Sequence, residues 1–125
     1  MKTFSMQNIL LSLLAASYFL TTCATTNGAS QGRASWYGKK YHGHKTASGQ
    51  IYNMYGFTAA HRLYRFGTML KVTNLTNGKF VIVRVNDRGP FKTDRIIDLS
   101  YAAAKKIGMI SKGVVKVKID VINKN

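Results

Sequence analysis

Between Met69 and Asn86 the chain carries two β-type runs split by an Asn-Gly pair, and this pattern admits little besides a β-hairpin. Met69-Leu70-Lys71-Val72-Thr73-Asn74 alternates apolar and polar residues, and Phe80-Val81-Ile82-Val83-Arg84-Val85-Asn86 is a β-branched run. A period of two sends successive side chains to opposite faces of a strand. Asn77-Gly78 between them is the strongest short hairpin signal, because both central residues can take positive φ. Val115, Val117, Ile119 and Val121 put one apolar face on a last strand, with Lys116, Lys118 and Asp120 on its other face. A single helix is predicted, from Tyr101 to about Ile107. Ser100 is its N-cap, Ala102 to Ala104 favour helix, Lys105 and Lys106 suit the C-terminal dipole, and Gly108 fits the position just past the end. Short strands with turn signals and one short helix predict a small closed β-barrel.

The N-terminal region is of another kind. Lys2 precedes an apolar run from Ile9 to Leu20, which as a helix reaches only about 18 Å, short of a ~30 Å hydrocarbon core. A basic start, a short apolar stretch and then small polar residues read as a signal peptide over residues 1–22. Cys23 follows directly and is the only cysteine. A lone thiol in an exported chain makes no internal disulfide; it is free, paired with another molecule, or modified. Its place is that of a lipobox cysteine, which becomes the lipidated mature N-terminus. Thr22 departs from the Gly, Ala or Ser usual before it, and the alternative is plain secretion after cleavage near Ala24. Residues 23–31 have nothing to bury and read as a flexible tether. Residues 32–125 remain for one small domain with one core.

Charge narrows the partners. Nineteen Lys and Arg stand against four acids, for a formal charge of +15. There is no Glu; the acids are Asp87, Asp94, Asp98 and Asp120. Such a field draws the protein to polyanions: nucleic acid, anionic lipid, or the carboxylate- and phosphate-rich polymers of a cell wall. Export argues against nucleic acid, and no aromatic-basic stripe for a single strand is identifiable. The plainer alternative is a charge that only solubilises.

Four stretches taken together point further: Gly32-Arg-Ala-Ser-Trp36-Tyr37-Gly38; Thr46-Ala-Ser-Gly49; Thr58-Ala-Ala-His61 with Phe66-Gly67-Thr68; and Val85-Asn-Asp87-Arg-Gly-Pro-Phe91 followed by Arg95-Ile-Ile-Asp98-Leu-Ser100. In order and spacing they resemble the rare lipoprotein A (RlpA) family, from Gly32 to about Ile122. The resemblance implies a mainly β fold, a six-stranded double-psi β-barrel of the barwin-expansin type with one short helix. It implies an envelope lipoprotein, an endolytic peptidoglycan lytic transglycosylase that cuts glycan strands, preferring those without stem peptides, to 1,6-anhydro-muramyl products. The implied partners are peptidoglycan glycan strands, a lipid bilayer through lipidated Cys23 (the outer membrane where the cell has one), and division-site proteins, with no cofactor. Many members carry a further C-terminal peptidoglycan-binding repeat; the sequence as read ends at Asn125, after the barrel.

On the same basis Asp87 and Asp98 are candidates for general acid/base work and sugar contact, with His61 as a third catalytic candidate. A lytic transglycosylase can use one acid, because the sugar's own C6 hydroxyl attacks C1 and proximity replaces an activated water. Asp87 lies in a strand-end turn before Gly89-Pro90, and Asp98 two residues before Ser100. Simpler roles are open to each: a turn stabiliser or partner of Arg88 for Asp87, a helix-cap helper for Asp98, a hydrogen-bonded strand-end residue for His61. Candidate substrate contacts are Gln50, Asn53, Thr46, Tyr37 and Arg88. The family's active members typically place Glu and Asp where Gln50 and Asn53 stand, and an amide carries no titrating proton. The alternative reading is therefore a non-catalytic, expansin-like wall-binding or wall-remodelling protein. His42 and His44 with His61 do not amount to a metal site. Trp36, Tyr37, Tyr41, Tyr52, Tyr55 and Tyr64 divide between core and groove, and Arg62, Arg65, Arg84, Arg88, Lys92 and Arg95 flank the site in sequence.

Overall fold

The computed structural model describes residues 29–122; the expected signal peptide, Cys23 and residues 24–28 of the tether lie outside them. Six strands close a barrel: β1 (Ser30–Trp36), β2 (Thr58–Ala60), β3 (Met69–Asn74), β4 (Phe80–Asp87), β5 (Arg95–Leu99) and β6 (Val115–Val121), with helix α1 (Tyr101–Lys106) between the last two. The order around the barrel is β1-β5-β2-β4-β3-β6. Two pairs are parallel, β1 with β5 and β2 with β4, and the other four are antiparallel. This is a mainly β, double-psi barrel with one short helix. Every strand is paired on both sides, so no ladder edge is left open.

β3, β4 and β6 are the alternating runs of the sequence. Leu70, Val72, Val81, Val83, Val85, Val117 and Ile119 point inward and are fully buried, joined by Ile97 and Leu99 of β5. Helix α1 closes the core with Ala103, Ala104 and the capping residue Ile107. Ser100 caps it as expected, accepting a hydrogen bond from Ala103 N–H, and Gly108 takes φ of 69° just beyond its end.

Two expectations change. The first strand begins at Ser30, so Ser30 and Gln31 belong to the barrel rather than to the tether. They pair with Ile119 and Lys118 of β6, a backbone pairing that no apolar side chain advertises. The β3–β4 hairpin also turns differently. Only Gly78 has positive φ, 76°, and Asn77 does not. Instead the Asn77 side chain donates to the Ile107 carbonyl at 3.0 Å and accepts from Lys79 N–H at 2.9 Å. Asn74 donates to the same carbonyl at 2.9 Å, so the end of β3 and the loop after it together cap the end of α1.

Candidate functional site

Two register breaks build the site. Along β4, inward and outward residues alternate from Phe80 to Val85, and continued alternation would turn Asp87 into the core with Val83 and Val85. It does not, because the β2–β4 register slips by one. Ala59 sits opposite Val85 but Ala60 sits opposite Asp87, leaving Asn86 as the extra residue. Asn86 is buried and Asp87 is rotated outward, the re-aiming that bulges supply beside sites. β5 carries the matching slip, with Arg33 opposite Arg95 and Ala34 opposite Ile97. Asp98 then points away from the face that buries Ile97 and Leu99.

The central strand brings the two acids together. Ala60 of β2 is the register partner of Asp87 on one side and of Asp98 on the other. Two strand spacings place their Cα atoms ~10 Å apart, with only a methyl group between them. Asp87 and Asp98 line one cleft of about 420 Å³, with Tyr37, Tyr41, Thr46 and Tyr52 on one wall and Lys45, Arg88, Lys92 and Arg95 among its cations. They are its only acids.

Each carboxylate is anchored at one oxygen. Asp87 Oδ1 accepts from Ala47 N–H at 2.8 Å and Arg88 N–H at 2.9 Å. Asp98 Oδ1 accepts from the Ser35 hydroxyl and lies 3.8 Å from Arg95 Nη1, which also donates to Ser35. Asp98 is thus held by a strand neighbour and a cation; the helix cap is Ser100. Gly89, with φ of 131°, packs its backbone against the cleft: a Cβ there would lie 3.9 Å from Asp98 Oδ2. Arg95 Nε is buried in the cleft with no hydrogen-bond partner among the described residues, and the Tyr37 hydroxyl is buried beside the Thr58 side chain. Burial first, then the negative charge of Asp87, pushes the Tyr37 hydroxyl far above its ordinary value, with Tyr52 and Asp98 adding to it. Tyr37 therefore stays a proton-bearing donor. Tyr52, edge-on to Tyr37 at 4.6 Å, is also raised by burial, opposed by the Tyr101 N–H that donates to its hydroxyl.

The other candidates stand elsewhere. Only the backbone of His61 touches the site, its N–H donating to the Asp87 carbonyl at 3.1 Å. Its ring stacks on Tyr64 at 4.2 Å, and Nδ1 accepts from Leu63 and Tyr64 N–H. Burial, then Arg62 and Arg88, lower it to about 4. Arg88 borders the cleft, but its guanidinium donates to the His61 and Tyr64 carbonyls and covers the Phe66 ring. It braces the loop that carries His61 rather than pairing with Asp87. Arg62 similarly donates to the carbonyls of Pro90, Lys92 and Arg95, tying down the segment between the two acids.

Thr46 lines the cleft, whereas Gln50 and Asn53 line a neighbouring depression of about 460 Å³ with Arg84 and Asn86. Gln50 Oε1 accepts from Arg84, and Asn53 Oδ1 from Tyr55 N–H. His44 borders the cleft, while His42 accepts from Met54 N–H. Ala60 and Ser35 lie within the quoted motif stretches, yet sequence reading assigns neither a role at the site. Ala60 carries no chemistry of its own, and Ser35 reaches Asp98 across 63 residues of sequence.

Comparison with known proteins fits this architecture. Residues 29–119 match the family model described as lytic transglycolase. The endolytic peptidoglycan transglycosylase RlpA of Vibrio cholerae is 60% identical over 91 residues, covering 73% of this chain and 35% of that protein. The protein of the same name from Pseudomonas aeruginosa is 58% identical over 92 residues, covering 74% of this chain and 27% of its own length. The chain therefore spans about a third, or less, of these relatives. Among solved structures, an expansin mutant of Clavibacter michiganensis in complex with cellohexaose superposes with a TM-score of 0.61 at 19% identity, covering 78% of this chain and 52% of that one. A Streptomyces papain inhibitor gives 0.58 at 22% identity, covering 74% and 94%.

Proposed function

Because the chain belongs to the lytic transglycolase family, we propose that its barrel cuts peptidoglycan glycan strands endolytically, with Asp87 and Asp98 as the working carboxylates. The observation that carries this reading is their convergence: the two acids from β4 and β5 flank Ala60 in one cleft that holds no other acid.

Asp87 is the general acid and base. With Oδ1 fixed by two backbone N–H groups, its other oxygen is left for the glycosidic oxygen. A protonated Asp87 gives its proton to that oxygen as the C1–O bond breaks. The muramyl C6 hydroxyl then attacks C1, closing the 1,6-anhydro ring, and returns its proton to Asp87. No water is consumed. Asp98, held by Ser35 and Arg95, places negative charge beside the carbon that becomes electron-poor. Tyr37, part-exposed in the cleft lining, offers its ring to a sugar face.

The same proposal puts the protein in the cell envelope, anchored through lipidated Cys23 or secreted. Glycan strands are its substrate, strands without stem peptides are preferred, and division-site proteins are its company. Cys23 lies outside the described residues. The test is incubation with purified sacculi and mass spectrometry of the soluble fraction. Release of 1,6-anhydro-muramyl fragments supports the reading. Sacculus binding without any release would favour the expansin-like alternative, which the amides at Gln50 and Asn53 motivate.

A further inference from the structure

A cavity larger than the one that holds the acids lies elsewhere among the described residues. A depression of about 880 Å³ is lined by Trp36, Tyr55, Phe57 and Tyr101, with Met54 at its base and Lys39, Lys105 and Lys106 among its walls. It lies across the Trp36–Tyr37 and Tyr52–Tyr55 segments from the cleft: Tyr37 and Tyr52 face the acids, while Trp36, Met54 and Tyr55 face this side. None of its lining residues is acidic.

Two of the rings, Tyr55 and Phe57, are presented to solvent, while Trp36 also packs on the barrel core. Tyr55 is 69% exposed and Phe57 47%, while Trp36 and Tyr101 meet at 5.7 Å with their planes tilted 60°. Such open ring faces are electron-rich and apolar, and the C–H face of a pyranose is their natural complement. The cations come from two separate segments, Lys39 after β1 and the pair at the end of α1, and Lys106 lies over the Phe57 ring at 5.2 Å. A ligand in the depression would therefore have ammonium groups supplied from both segments. An extended acidic peptide would meet the same charges, but the closed barrel offers it no free strand edge for a main-chain ladder.

We propose that this aromatic-lysine shelf is a second glycan-binding site, taking a stretch of carboxylate-bearing polysaccharide away from the bond being cut. This rests on the wall-glycan reading above and adds to it a holding site that no catalytic group touches. The shelf would keep the enzyme on a strand between cuts.

The test uses the full chain carrying Asp87→Asn, so that strands are bound and not consumed. The probe is purified peptide-free glycan strands, titrated calorimetrically. Tyr55→Ala should weaken binding by about fivefold to tenfold, and Lys105→Gln with Lys106→Gln should flatten its salt dependence. Tyr55 is largely exposed, so an unchanged melting temperature will show that the variant is folded. In the Asp87-containing chain, Tyr55→Ala should leave the cutting rate on a short oligosaccharide unchanged while slowing release from long strands. If the parent chain binds strands and Tyr55→Ala binds them equally well, the shelf proposal is wrong and the cleft reading stands. Failure of the parent chain to bind strands at all would remove both. Equal binding of neutral chitin oligosaccharides, or Tyr55-dependent binding of poly-glutamate or of anionic phospholipid vesicles at the same strength, would overturn the assignment to an acidic glycan.

Discussion

Replacing His61 with asparagine should flatten the acid side of the protein's stability profile. In the folded chain burial, reinforced by Arg62 and Arg88, lowers His61 from 6.5 to about 4. The unfolded chain therefore binds a proton there more readily between those two values. Stability is complete above about pH 6.5 and is lost as the pH falls toward 4. That displacement sets a ceiling of about 3 kcal/mol. The ring is only half-buried, so solvent screening reduces the effect to about 1–2 kcal/mol. For a domain of this size that is a fall in Tm of about 4–15 °C between pH 7 and pH 4.5. Asparagine is the informative replacement. Its Oδ1 can take over from Nδ1 in accepting the Leu63 and Tyr64 N–H groups, and an amide does not titrate. Melting followed by circular dichroism at pH 7, 6, 5 and 4.5 should show the wild type dropping through this window and His61→Asn dropping by less than half as much. Parallel curves would refute the reasoning, because the acid sensitivity would then reside in other groups.

Three further substitutions probe the site and its frame. Ala60→Val puts two methyl groups on the cleft floor between Asp87 and Asp98; it should cost about 1–3 kcal/mol of stability and lower glycan turnover at least about tenfold, read from product release by the folded variant. Gly89→Ala forces a side chain into φ of 131° and sets a carbon 3.9 Å from Asp98 Oδ2. Urea unfolding should show a loss of roughly 1–3 kcal/mol, together with slower cutting. Ser100→Ala leaves the Gly56 carbonyl and the Thr58 and Ala103 N–H groups without their partner. It should lower the urea midpoint by the equivalent of about 1–2 kcal/mol with an unchanged slope.

What the residues announce and what they conceal follows from the physics of this barrel. β3, β4 and β6 each bury one face, so alternation exposes them, and α1 declares itself through Ser100, its alanines and Gly108. β2 is Thr58-Ala59-Ala60, buried throughout and too small and short to show a period. β1 begins with Ser30 and Gln31, whose contribution is backbone pairing alone. The register slips at Asn86 and between Arg95 and Ile97 are set by partner strands distant in sequence, and they decide that both acids face the cleft. The motif therefore points to Asp87 and Asp98, but not to Ala60 between them or to Ser35 behind one of them. It also groups Gln50, Asn53 and His61 with the acids, while their side chains are engaged by Arg84, the Tyr55 N–H, and the Leu63 and Tyr64 N–H groups.

The proposed chemistry at Asp87 and Asp98 is tested most directly on peptide-free glycan strands, by counting new 1,6-anhydro-muramyl ends by mass spectrometry for the wild type, Asp87→Asn and Asp98→Asn. The wild type should generate such ends. Asp87→Asn should lose at least the roughly 10²–10⁴-fold that an acid–base group contributes, with Asp98→Asn also impaired and both variants folded. Wild-type rates in a folded Asp87→Asn variant would contradict the account, as would a wild type that binds the strands and leaves every one intact.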